Sequence, residues 1–247
     1  MLDDDIEKIN CGLFLLGFAV DSRTTSEDTL RLKEIAIEVL AAESEKKLDD
    51  DLREALAWRA YDVLSALFLS EERTTMVHAM YLDSKLLEPL VPIIDEATLA
   101  FFRGYFAASL GTLFVALEQY LRRLRRWKPG DGDVKFGDLR KAVDTFPDSE
   151  WKKRAAKILE GIYERYEALS PPFSFFNRHG LLHGIRGPHP MDRMNCGRMF
   201  FLFDYLAAAE SRGMRRSVVL DSAFQERLDI YSSCVLLGRE RKLLRYE

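Results

Sequence analysis

Cysteine is scarce and scattered in this chain of 247 residues: Cys11, Cys196 and Cys234 are the only three, and no two form a Cys-x-x-Cys pair. An odd, dispersed set makes no disulfide framework, so a reducing compartment, the cytoplasm, is expected. Histidine is nearly as rare, with four, and no His-Glu-x-x-His string is present to suggest a zinc hydrolase. Long apolar runs are missing too. The stretch 9–20 is too short to cross a bilayer as a helix, follows Asp3-Asp4-Asp5 where a leader would be basic, and contains Asn10. Internal repeats, low-complexity tracts and strand-hairpin signals are absent. Eight prolines and fourteen glycines leave long stretches in which helices can run.

What is present suits a folded, helical protein. Apolar residues make up 47% and charged residues 31%, too much core material for disorder and an ordinary charge load for a globular chain. The net charge of −4 is unevenly divided. Residues 1–100 carry 22 Asp and Glu against 10 Lys and Arg, a net of −12, while residues 101–247 carry 18 against 26, a net of +8. The basic half is the one expected to meet a polyanion; complementary packing of the two halves is the alternative reading.

Helical periodicity runs along most of the chain. It predicts helices over 3–20, 27–43, 49–70 and 74–87, with Pro89 and Pro92 as breaks, then 93–103 and 105–127. Ser26, ahead of Glu27 and Asp28, is the expected cap of the second helix. In the third, Leu52, Leu56, Trp58, Ala60, Val63, Leu64 and Leu67 are expected to face inward. The run Pro129-Gly130-Asp131-Gly132-Asp133 is a loop; helices over 136–146, 149–169, 193–212 and 217–237 follow, with Pro171-Pro172 and Gly187-Pro188-His189-Pro190 as stops. The expectation is an all-α helical bundle. An acidic N-terminal helical region, 1–90, would precede a helical domain over 91–247, with the boundary within 84–93.

One segment concentrates residues suited to chemistry. Asn177-Arg178-His179-Gly180-Leu181-Leu182-His183-Gly184 holds two of the four histidines, four residues apart and therefore on one face of a helix. Gly180 and Gly184 form a bare stripe beside them, which allows close approach of another helix or a sugar-phosphate chain. Asn177 can cap a helix starting here, and Arg178 would then lie beside free backbone N–H groups, an anion site. A guanidinium steadies charge on phosphoryl oxygens and an imidazole moves protons near neutral pH, so the pair suits phosphate chemistry without a metal. Two other readings stay open: His179 and His183 as interface or core side chains, or as metal ligands with Asp192 the only nearby carboxylate.

These residues carry a family resemblance. Arg178-x4-His183, with polar His179 directly after the arginine, resembles the Arg-x4-His signature of HEPN domains, and most closely a bacterial subset reading Asn-Arg-His-x-x-Leu-His-Gly before an apolar helix, here residues 195–206. The stretch from Gly104-Tyr105 through Tyr120-Leu121-Arg122 resembles the helix pair that opens such domains. The likeness spans about residues 93–212 and leaves the first 90 unexplained. It implies a HEPN-like core and a metal-independent endoribonuclease of the defence or toxin–antitoxin kind, needing no cofactor. The alternative is a non-cutting RNA- or nucleotide-binding or scaffold protein. Arg178 would hold the scissile phosphate, His183 would act as general acid or base, His179 would orient the pair and Asn177 would support it. A homodimer with a composite active site is implied, with a possible antitoxin or regulatory partner and no membrane. Some relatives have a tyrosine two residues after the histidine as a modification target; this chain has Ile185 there.

A second candidate is the basic string Arg122, Arg123, Arg125, Arg126, Trp127 and Lys128 at the end of a long helix. Five cations exceed what a helix dipole calls for, so an RNA-backbone contact with Trp127 as stacking platform is expected. Glu118, upstream on the same helix, is a candidate partner for Arg178.

Overall fold

The computed structural model describes residues 2–18, 20, 25–128, 130–131, 192–211 and 220–243, with isolated positions 142, 144, 159 and 162. Every regular element among the described residues is helical, as the periodicity predicts. The α-helices are α1 (Leu2–Leu13), α2 (Ser26–Ser44), α3 (Asp50–Leu64), α4 (Ser70–Met76), α5 (Val91–Phe102), α6 (Phe106–Leu124), α7 (Arg193–Ser211) and α8 (Ser222–Leu243). The predicted helices over 136–146 and 149–169 lie outside the described residues.

Side-chain oxygens close several helix starts. The Asp49, Asp192 and Asp221 carboxylates accept the backbone N–H of Leu52, Asn195 and Phe224 at 2.8, 2.8 and 2.9 Å, each satisfying a donor that the helix itself cannot. Thr25, not Ser26, caps α2, its Oγ1 accepting from Asp28 at 3.1 Å. The prolines also act differently from expectation. Pro92 sits in the first turn of α5, where no backbone donor is needed, so it begins a helix instead of breaking one.

Helix ends share one device. After Gly17, Lys46, Gly104 and Arg126, all in the left-handed region, the chain bonds back to the last turn. For α6 the bonds are Trp127 N–H to Arg122 O and Arg126 N–H to Arg123 O, both 2.9 Å, the paired pattern that satisfies orphan carbonyls. This stops α6 at Leu124, short of the expected Trp127. The same turn at Gly17 ends the first helical stretch well before residue 20.

The core forms around α7. Residues 194–208 are buried at every position, so this helix is covered on all sides rather than on one stripe. Phe68 meets Phe201 edge-on at 4.9 Å, stacks on Tyr61 at 5.5 Å, and Phe101 meets Phe200 at 5.4 Å. A phenylalanine buried in this way contributes about 1.5–3 kcal/mol. Leu56, Ala60, Val63 and Leu64 of α3 are buried as expected, while Leu52, Trp58 and Leu67 are partly buried against the same core. Helix α1 crosses α2 so closely that a Cβ on Gly12 would lie 2.6 Å from the Ala36 carbonyl oxygen. Buried side chains on both sides of 84–93 belong to one continuous cluster, from Ile9 and Leu13 to Phe203 and Leu206.

Candidate functional site

The basic end of α6 is a surface feature. Arg122, Arg123, Arg125, Arg126 and Lys128 are exposed, and Trp127 is half-buried. The cap geometry explains how five cations are gathered there. Arg126 adopts φ +53°, turning the chain sharply so that Trp127 and Lys128 leave the helix axis beside Arg122 and Arg123. Such a turn normally takes glycine, because an L side chain there is strained by about 1–2 kcal/mol. A loop follows directly, with the Lys128 N–H donated to the Asp131 carboxylate at 2.7 Å.

Asn177, Arg178, His179 and His183 lie outside the described residues, as do Gly180, Gly184 and Ile185. The proposed Glu118 contact with Arg178 lies outside them for the same reason; Glu118 itself is half-buried on α6. What the structure does place is the helix that follows the motif. Helix α7 enters the core directly after the Asp192 cap, with its first residue, Arg193, exposed.

Three polar clusters went unrecognised in the sequence. In the first, Arg73 Nη1 donates to both oxygens of Asp204 at 2.8 and 3.0 Å, and its Nη2 donates to the Tyr81 hydroxyl at 2.8 Å. The Tyr81 hydroxyl in turn donates to Asp204. Arg73 and Asp204 are 1% and 2% exposed, and the guanidinium lies 4.7 Å from the Phe200 ring centre. Burial pushes the Tyr81 hydroxyl well above its ordinary pKa, keeping it a neutral donor. A usable signal did exist: Asp204 is the one charge in the apolar run Met199-Phe200-Phe201-Leu202-Phe203-Asp204-Tyr205-Leu206, and such a charge is rarely buried without a partner.

The second cluster joins α8 to α5 and to the π turn Val77–Tyr81 that continues α4. Arg227 donates Nε and Nη2 to Asp95 at 3.3 and 3.1 Å, and Tyr231 donates its hydroxyl to the same carboxylate. Arg227 Nη1 also reaches His78 Nε2 at 2.6 Å. Arginine can only donate, so Nε2 accepts and the imidazole proton sits on Nδ1. Burial, then the Arg227 charge, lowers the His78 pKa, favouring this neutral form.

The third is a pair at a cleft mouth. Arg193 lays its guanidinium 5.1 Å from the Tyr61 ring centre and donates Nε to the Tyr61 hydroxyl at 3.1 Å. Behind it opens a cleft of about 350 Å³ among α3, α4, α5, α6 and α8. Cys196, nearby on α7, is buried, and desolvation pushes its thiol up to about 12. Among the described residues, no three His, Cys, Asp or Glu side chains are grouped to hold a metal ion, and no helix is long and apolar enough to cross a membrane.

Comparison of the chain with known protein families, with curated proteins and with solved structures gave no match.

Proposed function

We propose that this chain is a metal-independent endoribonuclease of the HEPN kind, acting on RNA in a defence or toxin–antitoxin setting in the cytoplasm. The structural observation that supports an RNA partner is the exposed cluster of four arginines and a lysine at the turned end of α6. Cations gathered on one surface neutralise successive phosphates and release counterions, and half-buried Trp127 beside them offers a ring edge or face to a base. The chemistry rests on Arg178-x4-His183 in the sequence, within a chain whose described residues are all-α.

In this reading the ribose 2′-oxygen attacks the adjacent phosphorus and the bond from phosphorus to the 5′-oxygen breaks. The 2′-hydroxyl proton passes to a base, and the leaving 5′-oxygen takes a proton from an acid. The products are a 2′,3′-cyclic phosphate and a 5′-hydroxyl. His183 serves one of the proton transfers, Arg178 balances charge on the non-bridging oxygens, and His179 and Asn177 orient the pair. Two protomers would each supply one motif, so activity would track homodimer formation.

The test is purified protein with single-stranded RNA in EDTA. Cleavage is expected to persist and to fall by roughly 10²–10⁴ in His183→Ala. An Arg178→Ala variant with full activity, or products ending in a 2′-hydroxyl and a 3′-phosphate monoester from the outset, would sink the mechanism. RNA that is retarded in a gel without being cut would assign the basic surface to a non-cutting binder.

A further inference from the structure

We infer that the cleft behind Arg193 is a binding site for a planar aromatic carboxylate, independent of any action on RNA. Its walls are rings: Tyr61, Phe68, Phe101, Phe102 and Phe106 all line it. Tyr61 and Phe68 stack on each other at an interplanar angle of 19° and Arg193 lies over Tyr61, so the half-buried rings of Phe102 and Phe106 are the ones left to meet an occupant. Flat rings against flat rings favour an aromatic occupant over a branched aliphatic one. The volume of about 350 Å³ falls in the range that takes small ligands.

The mouth supplies charge. Arg193 is exposed and is held against Tyr61 through Nε and through its face. Among the described residues, no carboxylate pairs with it. The adjacent carboxylate, Asp192, is committed to the α7 start, where it accepts the Asn195 N–H at 2.8 Å. A guanidinium pre-oriented on a ring, at the edge of an apolar cavity, matches a carboxylate in two parallel hydrogen bonds. Two glycines sit at the cleft, one at its rim and one in its far wall. A Cβ on Gly104 would meet nothing within 4 Å, leaving the rim clear, while one on Gly238 would lie 2.2 Å from the Phe102 carbonyl oxygen, so α8 approaches closely enough to form the opposite wall. A neutral hydrocarbon would leave the guanidinium unused, and a polyanion would find one cation in place of several.

The experiment is calorimetric or NMR titration of the full chain with 2-naphthoate, 2-naphthamide and cyclohexanecarboxylate. One naphthoate per chain is expected, with the amide and the non-aromatic acid each about tenfold weaker or worse, since one charge-assisted pair corresponds to roughly a tenfold change. Arg193→Gln should weaken naphthoate by about tenfold and leave the amide unchanged, with the helical circular dichroism intact because Arg193 is exposed. Val235→Trp, which fills the cleft from α8, should abolish binding of all three. The ligand series on the unmodified chain needs no variant to fold. Absence of naphthoate binding at millimolar concentration, equal affinity for acid and amide, or unchanged naphthoate affinity in Arg193→Gln would each overturn the assignment. RNA cleavage is not read in this experiment, so its failure says nothing of the nuclease.

Discussion

Replacing Asp204 by alanine should be among the most damaging single changes this protein can suffer. The substitution removes the carboxylate that Arg73 Nη1 contacts at 2.8 and 3.0 Å, where the two side chains are 1% and 2% exposed. It also removes the acceptor of the Tyr81 hydroxyl. Deleting one partner of a buried pair strands the other charge away from water and costs about 3–5 kcal/mol. At this chain length each kcal/mol lowers Tm by roughly 2–4 °C, so a fall on the order of 10 °C is expected. Tyr81→Phe, which removes a neutral donor while keeping the ring, should cost nearer 1 kcal/mol. The pair as a whole should cost less than the sum of its halves. Arg73→Met with Asp204→Leu removes both charges together but strands the buried Tyr81 hydroxyl, so it should cost about 1–3 kcal/mol. Adding Tyr81→Phe should recover part of that. Urea unfolding followed by circular dichroism on Arg73→Met alone, Asp204→Leu alone and the two combined closes the cycle. The reasoning fails if Asp204→Ala unfolds within about 1 kcal/mol of wild type, or if the double variant costs the sum of the singles.

Three further outcomes follow from the same geometry. Arg126→Gly relieves a left-handed arginine and should stabilise by about 0.5–1 kcal/mol, whereas Arg126→Ala should not; if the basic surface binds single-stranded RNA, the glycine variant should also flatten the salt dependence by about 0.7 per lost contact. The His78 pKa lies below its ordinary 6.5, so the unfolded chain binds that proton more readily. The sign is that stability should hold above about pH 6.5 and decline as pH falls through the His78 titration, with His78→Gln showing a shallower decline in urea midpoints. Alkylation by iodoacetamide under native conditions should modify exposed Cys11 and spare buried Cys196 and Cys234, which should react only on unfolding; rapid native labelling of Cys196 would contradict its raised pKa.

Much of the architecture could be read before any coordinates, for local reasons. Apolar spacing marked α2, α5, α6 and α7 to within a few residues, because a helix that buries one face must repeat with the helical period. It ran the third helix on to residue 70, past the end of α3 at Leu64 and the extended Leu69, and so placed α4, Ser70–Met76, too late at 74–87. The caps were less legible: Ser26 was expected where Thr25 closes α2, and the Asp49, Asp192 and Asp221 caps went unread. Errors came where two local rules competed. The Pro92 ring was expected to break a helix and instead opens α5, since a first-turn position has no donor to lose. Apolar spacing carried the first helix past Gly17 and the sixth to Trp127, where the backbone turns left-handed. Of the candidate site, the basic string was visible as composition and is found exposed, but the positive φ of Arg126 that gathers it was not, because arginine carries no turn signal.

The amino-acid order alone determined that the described chain is helical, where most of its helices lie, and that Asp204 is a lone charge in a greasy run. Only the tertiary structure decided that Asp204 meets Arg73, 131 residues away, that Arg227 meets Asp95 across 132, and that Arg193 guards a cleft assembled from five helices. The division has a physical cause. Helix formation and capping depend on hydrogen bonds within a few residues, so the code for them is local. Partners more than a hundred residues apart are chosen by how buried faces pack, and any face of suitable shape is a candidate until the packing is known.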